Sequence, residues 1–135
     1  MSNQKGDSAV ARILLVEDDR DVRPLMEHII CADGYQVTST ETVANGLSLL
    51  ETQPFDLVVT DVNLPDGSGL KLADKAKELG VAVLVVTGHG LSLQPGALAN
   101  YDYLLKPLYA NELLKAIRQR LPRDDGQIVP FPKPI

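Results

Sequence analysis

Asp61 closes the apolar run "FDLVVT", and a loop rich in Pro and Gly, "VNLPDGSGL", follows it at once. A buried strand seldom finishes on a carboxylate that has no partner. Glu17, Asp18 and Asp19 follow another apolar run, "ILLV", while Thr87 closes "VLVV" and Lys106 closes "YLL". If the first and third of these runs lie side by side, their acids converge at one edge. Carboxylates packed within several ångströms of each other repel and raise one another's pKa, so a cation must offset them. An all-oxygen ligand set suits Mg²⁺ completed by water, and suits zinc poorly, because zinc prefers His and Cys. Lys106 adds a fixed positive charge and Thr87 a hydroxyl donor. A carboxylate, a metal, an ammonium and a hydroxyl around one small space fit a tetrahedral dianion. Asp61 is then a nucleophile toward phosphorus that gives an acyl phosphate, with the cations on the equatorial oxygens of the transferring group. The chemistry needs no general base, since a carboxylate is already ionised at neutral pH.

The elements that must position these groups are five short apolar runs: "RILLV" from Arg12, "YQVTS" from Tyr35, "FDLVVT" from Phe55, "VAVLVV" from Val81 and "YDYLL" from Tyr101. Three are nearly continuous in Val, Leu and Ile, the pattern of strands buried on both faces of a parallel sheet. Helical stripes alternate with them: Val22, Leu25, Met26, Ile29 and Ile30; Val43, Leu47 and Leu50; Leu72, Ala73, Ala76 and Leu79; Leu113, Leu114, Ile117 and Leu121. Thr42 is placed to cap the second of these helices, and Gly34 and Gly80 to stop the first and third. The fourth helical slot, "LSLQPGALAN", carries Pro95 and Gly96 in its middle and predicts a short or irregular helix. Strand and helix thus alternate as a doubly wound (βα)₅ unit with helices on both sheet faces. In such sheets the functional crevice lies at the carboxyl ends of the strands, which is where the acids, Thr87 and Lys106 fall. The organisation expected is a flexible N-terminus over 1–10, one domain over 11–121, and an extended or disordered Pro-rich tail over 122–135.

Composition narrows the function classes. The 135 residues suit one self-sufficient core, and the near-absence of aromatics makes that core aliphatic. A net charge of −5 disfavours direct binding to nucleic acid or to an anionic membrane, which need clustered Lys and Arg. The single cysteine, Cys31, forms no internal disulfide; its setting, "HIICADGY", reads as a buried structural thiol with no CxxC partner. No run reaches the roughly 18 apolar residues of a membrane span, and "MSNQKGDSAVAR" lacks the apolar middle of a signal peptide. A cytoplasmic setting is expected, and the starting methionine suits a native N-terminus.

Four motifs in order, "LLVEDD", "DVNLPDGSG", "VVTG" and "DYLLKP", make residues 11–121 resemble the receiver domains of two-component response regulators, of the chemotaxis-receiver kind. Pro65 and Gly69, four and eight positions after Asp61, belong to the same pattern. The resemblance implies a flavodoxin-like fold, a five-stranded parallel sheet of order 2-1-3-4-5. It implies that Asp61 is the phosphoacceptor, that Asp18 ligates Mg²⁺ directly and Glu17 through water, and that Asn63 lends its backbone carbonyl. Thr87 resembles the switch hydroxyl and Tyr103 the switch aromatic that turns inward with it. Lys106 resembles the family's lysine, and Pro107 suggests a cis peptide bond that aims the ammonium into the site. The implied partners are a sensor histidine kinase or histidine phosphotransfer protein and a downstream protein target, with no direct contact to nucleic acid or membrane. The stretches from Asp61 to Thr87 and from Thr87 to Lys106 look a few residues shorter than is usual. The face formed by the fourth helix, fifth strand and fifth helix, which commonly carries dimer or output contacts, is therefore a candidate for remodelling.

Plainer roles stand beside these. Asp19 suits a cap of the first helix better than a metal ligand. Thr87 also fits a helix cap, and Tyr101 or Tyr103 simple packing. His89 fits an exposed loop residue better than a tuner of acyl-phosphate hydrolysis, and His28 has no metal partner in sight. Lys71, Lys75 and Lys77 read as a solvated helix face, Gly67 and Gly69 as turn chemistry, and Tyr109 as a weak cap for the last helix. Three functions compete: a phosphorylation-controlled switch with only self-phosphorylation and slow autodephosphorylation; a pseudo-receiver that binds a partner without phosphotransfer; and a small aspartyl phosphatase, disfavoured because no cap domain or substrate pocket is evident.

Overall fold

The computed structural model describes residues 10–88, 96, 98 and 100–121. Residues 1–9 and 122–135 of the expected flanking segments, His89 and most of the fourth helical slot lie outside the described residues. In chain order the elements are β1 (Arg12–Val16), α1 (Val22–Ala32), β2 (Gln36–Thr40), α2 (Val43–Thr52), β3 (Leu57–Asp61), β4 (Asn63–Leu64), β5 (Gly67–Ser68), α3 (Leu70–Glu78), β6 (Ala82–Thr87), β7 (Tyr103–Leu105) and α4 (Ala110–Arg120). Five strands form one parallel sheet in the order β2-β1-β3-β6-β7. Counting only its own members this is 2-1-3-4-5, the flavodoxin-like order.

Alternation along the central strands explains why both faces are apolar. Leu14, Val16, Val58 and Val85 point to one core, shared with α2 and α3. Ile13, Leu15, Leu57, Val59, Leu84 and Val86 point to the other, shared with α1 and α4. Successive strand side chains take opposite faces, so a strand covered twice is apolar along most of its length, with buried Thr60, Asp61 and Thr87 only at the carboxyl ends. The outer strands escape that demand: in "QVTST" of β2 Gln36 is exposed and the other four residues are half-buried, and β7 exposes Tyr103 and Leu105.

Several local expectations are corrected. Leu25 is 58% exposed and Cys31 is also exposed, so α1 buries Met26 and Ile30 instead. Successive helical residues turn by about 100°, which carries Leu25 and Cys31 out of the contact sector centred on those two. Leu79, the C-cap residue of α3, is exposed as well. The last strand starts at Tyr103, two residues later than "YDYLL" suggested. Tyr101 instead leaves the sheet, donates its hydroxyl to the Asp74 carboxylate and lies under the Lys77 ammonium. Lys77 also donates to the Asn100 carbonyl, so only part of the α3 lysine set is a solvated face.

The two-residue strands β4 and β5 form a hairpin that the sequence reading did not anticipate, with Asn63 opposite Ser68 and Leu64 opposite Gly67. Its tip is tied to another element: the two Asp66 carboxylate oxygens accept the backbone N–H groups of Val43 and Ala44 at 2.8 and 3.0 Å. Thr42 caps the same helix, α2, by accepting the Asn45 N–H at 3.1 Å. Together the two side chains satisfy three donors that a helix start leaves without partners. These backbone bonds hold the Asp66 carboxyl below its ordinary pKa.

Candidate functional site

Asp61 ends β3, and Glu17 and Asp18 follow β1, the strand beside it. This is the point where the chain, having run from β1 to β2 on one side, crosses to β3 on the other, the usual position of a crevice in open α/β sheets. Single carboxylate oxygens of Glu17, Asp18 and Asp61 all lie within 4.8 Å of one another. Lys106, directly after β7, reaches across with its Nζ 2.8 Å from Glu17 Oε1 and 2.9 Å from Asp61 Oδ2. Three carboxylates thus face one ammonium, and the surplus negative charge fits a hard divalent cation with oxygen ligands.

Each group is braced from behind. Glu17, only 1% exposed, accepts the Asp19 N–H on Oε2 at 3.0 Å. Its main chain is held between the Thr40 carbonyl and the Arg23 guanidinium, at 3.0 and 3.1 Å. Arg23 lies on α1, and its reach to the Glu17 carbonyl had no signal in the sequence. Asp61 Oδ1 accepts the Asn63 N–H at 3.3 Å, which turns the Asn63 main chain toward the carboxylate. The Lys106–Pro107 peptide bond is cis.

Burial pushes the Glu17 carboxyl above its ordinary pKa of 4.5, against the opposing pull of Lys106. Burial would lower Lys106 on its own, but its hydrogen bonds to Glu17 and Asp61 outweigh that and leave it raised. Asp19 turns away from the cluster: its Oδ1 accepts the N–H groups of Asp21 and Val22 at 2.8 and 3.0 Å, at the start of α1. Those two bonds hold its carboxyl below the ordinary value. Thr87 is fully buried at the end of β6, and its carbonyl accepts the Lys106 N–H at 2.9 Å. Tyr103 stands apart, 49% exposed on the edge strand, beside a shallow groove with Leu105, Glu112, Lys115 and Gln119.

Gly69 is the residue whose role the sequence reading undervalued. Its φ of −64° is open to any residue, so the turn does not require glycine. Space does: a Cβ there would sit 1.8 Å from the Asp61 carbonyl oxygen and 2.6 Å from Thr60 Oγ1. The Gly69 N–H also donates to the Val62 carbonyl at 2.7 Å, closing the loop onto β3. Gly69→Ala should therefore cost at or above the upper end of the about 1–3 kcal/mol typical of overpacking, read as a lower urea midpoint at unchanged m-value.

An acidic, lysine-bridged cluster thus stands at the switch point of a doubly wound parallel sheet. Residues 13–118 match the response regulator receiver domain family. The chain is 33% identical to the response regulator receiver protein CpdR of Brucella abortus, over 82% of this chain and 96% of that protein. It is 32% identical to the TorCAD operon transcriptional regulatory protein TorR of Escherichia coli O157:H7, over 84% of this chain and only 51% of that protein. It superposes with a TM-score of 0.74 on a CheY-like receiver domain from Methanospirillum hungatei, at 31% identity, covering 82% of this chain and 93% of the other. The chain belongs to the response regulator receiver domain family. Among the described residues no helix is long and apolar enough to cross a membrane.

Proposed function

We propose that the chain is a phosphorylation-controlled switch in which Asp61 accepts a phosphoryl group from a phosphohistidine. The donor is a sensor histidine kinase or a histidine phosphotransfer protein, and the setting is the cytoplasm. The observation that carries this reading is the Lys106 ammonium bridging Glu17 and Asp61 beside Asp18. An Asp61 carboxylate oxygen forms the new O–P bond as the donor's N–P bond breaks, and the imidazole leaves with the electron pair. Asp18 and Asp61, the Asn63 carbonyl and, through water, Glu17 would hold Mg²⁺, which supplies charge neutralisation on the equatorial oxygens when bound. Lys106 neutralises the remaining charge. Thr87 would move its hydroxyl toward the new phosphoryl group, and Tyr103, outward in this structure, would turn in behind it and reshape a surface for a downstream protein. Slow autodephosphorylation resets the switch, which makes it a signalling module and not a metabolic enzyme.

The test is incubation with Mg²⁺ and acetyl phosphate followed by intact-mass measurement. The expected result is a gain of one phosphoryl group that EDTA prevents. No gain would point to a pseudo-receiver, and continuous turnover of metabolite phosphates to a phosphatase. Mg²⁺ alone, at ten times its Kd, should stabilise the fold by about 1.4 kcal/mol. Differential scanning calorimetry should show this as a rise of several degrees in Tm, with Ca²⁺ and Na⁺ as controls.

A further inference from the structure

We propose that Asp66 is a positioning residue for the metal site: by pinning the tip of the β4–β5 hairpin to the start of α2, it fixes the Asn63 main chain beside Asp61. The inference rests on the Mg²⁺ reading above. A hairpin of two-residue strands is not stable alone, and this one carries Asn63 in its first strand. Its base is held by the Gly69 N–H on the Val62 carbonyl and by Leu64, buried in the core shared with α2 and α3. Ser68 Oγ accepts the Leu70 N–H next along the chain at 3.1 Å, while the tip is held across to α2 by Asp66, through two charge-assisted bonds to Val43 and Ala44.

A plainer reading makes Asp66 no more than a second cap for α2. Thr42 separates the two. It caps the same helix through Asn45, with no bond to the hairpin among those described. Thr42→Ala therefore weakens the helix start and leaves the hairpin tip tied, while Asp66→Ala weakens the helix start and unties the tip. Asp66→Asn keeps one acceptor oxygen and should fall between wild type and Asp66→Ala.

The experiment is calorimetric titration of Mg²⁺ into the full chain and the three variants. Outer partners that orient metal ligands typically contribute about tenfold or more in affinity. Asp66→Ala should therefore raise the Mg²⁺ Kd about tenfold, Asp66→Asn less, and Thr42→Ala less than about twofold. Equal effects in Asp66→Ala and Thr42→Ala, or an unchanged Kd in Asp66→Ala, would overturn the inference. Amide hydrogen exchange of the Gly69 N–H, measured without metal, is the second readout. Faster exchange in Asp66→Ala but not in Thr42→Ala supports pinning, and equal exchange in the two overturns it. If the wild type takes up no Mg²⁺, the functional reading fails, and the exchange comparison still decides whether Asp66 holds the hairpin.

Discussion

Asp61→Asn should abolish phosphoryl uptake from acetyl phosphate, with no mass gain at any time point, while leaving the domain folded. The amide has the size of the carboxylate and can still accept the Asn63 N–H, now at 3.3 Å from Oδ1. It is neutral, however, and offers no oxygen able to carry an acyl phosphate at this position. The substitution also removes one of three clustered negative charges. The Asp61 charge is one of the influences that hold the Glu17 pKa up, behind burial. Its loss also leaves Lys106 with Glu17 as its one remaining carboxylate partner of the two. Both changes lower the Glu17 pKa, and a carbon-detected titration of its carboxyl group should show the shift. The Mg²⁺-dependent rise in Tm should shrink in the same variant. A mass gain in Asp61→Asn equal to wild type would move the phosphoacceptor elsewhere.

Lys106→Met should slow phosphoryl uptake by about 10²–10³, the cost of removing one preorganised electrostatic donor from a transferring group, without abolishing it. Methionine keeps much of the stem's bulk, which packs beside Gly88, and removes only the charge. The difference between a slow gain and none separates this variant from Asp61→Asn. Stability falls too, because the buried Glu17 and Asp61 carboxylates lose their cation. The sign with pH follows from linkage. A carboxyl raised in the folded state contributes stability that is full below the ordinary value of 4.5 and is lost as pH rises through the folded value. Without Lys106 the Glu17 pKa rises further. The variant is therefore most impaired at neutral pH, and its deficit against wild type should narrow as pH falls and Glu17 takes a proton. Urea unfolding at a series of pH values reads this directly; a deficit that widens toward acid would contradict the Lys106–Glu17–Asp61 arrangement.

How legible the molecule was depended on whether a feature is written in a local pattern. The Val- and Leu-rich runs marked β1, β3 and β6 because double burial confines polar residues to the strand ends. Thr42 was identified as a cap because a cap acts within one turn of its own helix. Leu25, Cys31 and Leu79 were misplaced because periodicity gives the direction of an apolar stripe and not the width of the sector its neighbours cover. Asp66, Arg23 and Gly69 were missed or undervalued for a common reason: each acts on a residue supplied by another turn of the chain. Asp66 reaches Val43 across 23 positions, and Gly69 needs its missing Cβ because the Asp61 carbonyl lies where that atom would be.

Residue type and order alone determined a parallel α/β sheet with the acids and the lysine at strand ends, and pointed to the hard-cation, phosphorus-directed chemistry proposed for them. Those follow from side-chain chemistry and from two- and 3.6-residue periods, which need no knowledge of the third dimension. Only the folded chain decided that Lys106 bridges Glu17 and Asp61 together and that a stapled hairpin stands beside Asp61. Hydrogen bonds and excluded volume act over a few ångströms, and which residues come that close is settled by how the helices and strands pack.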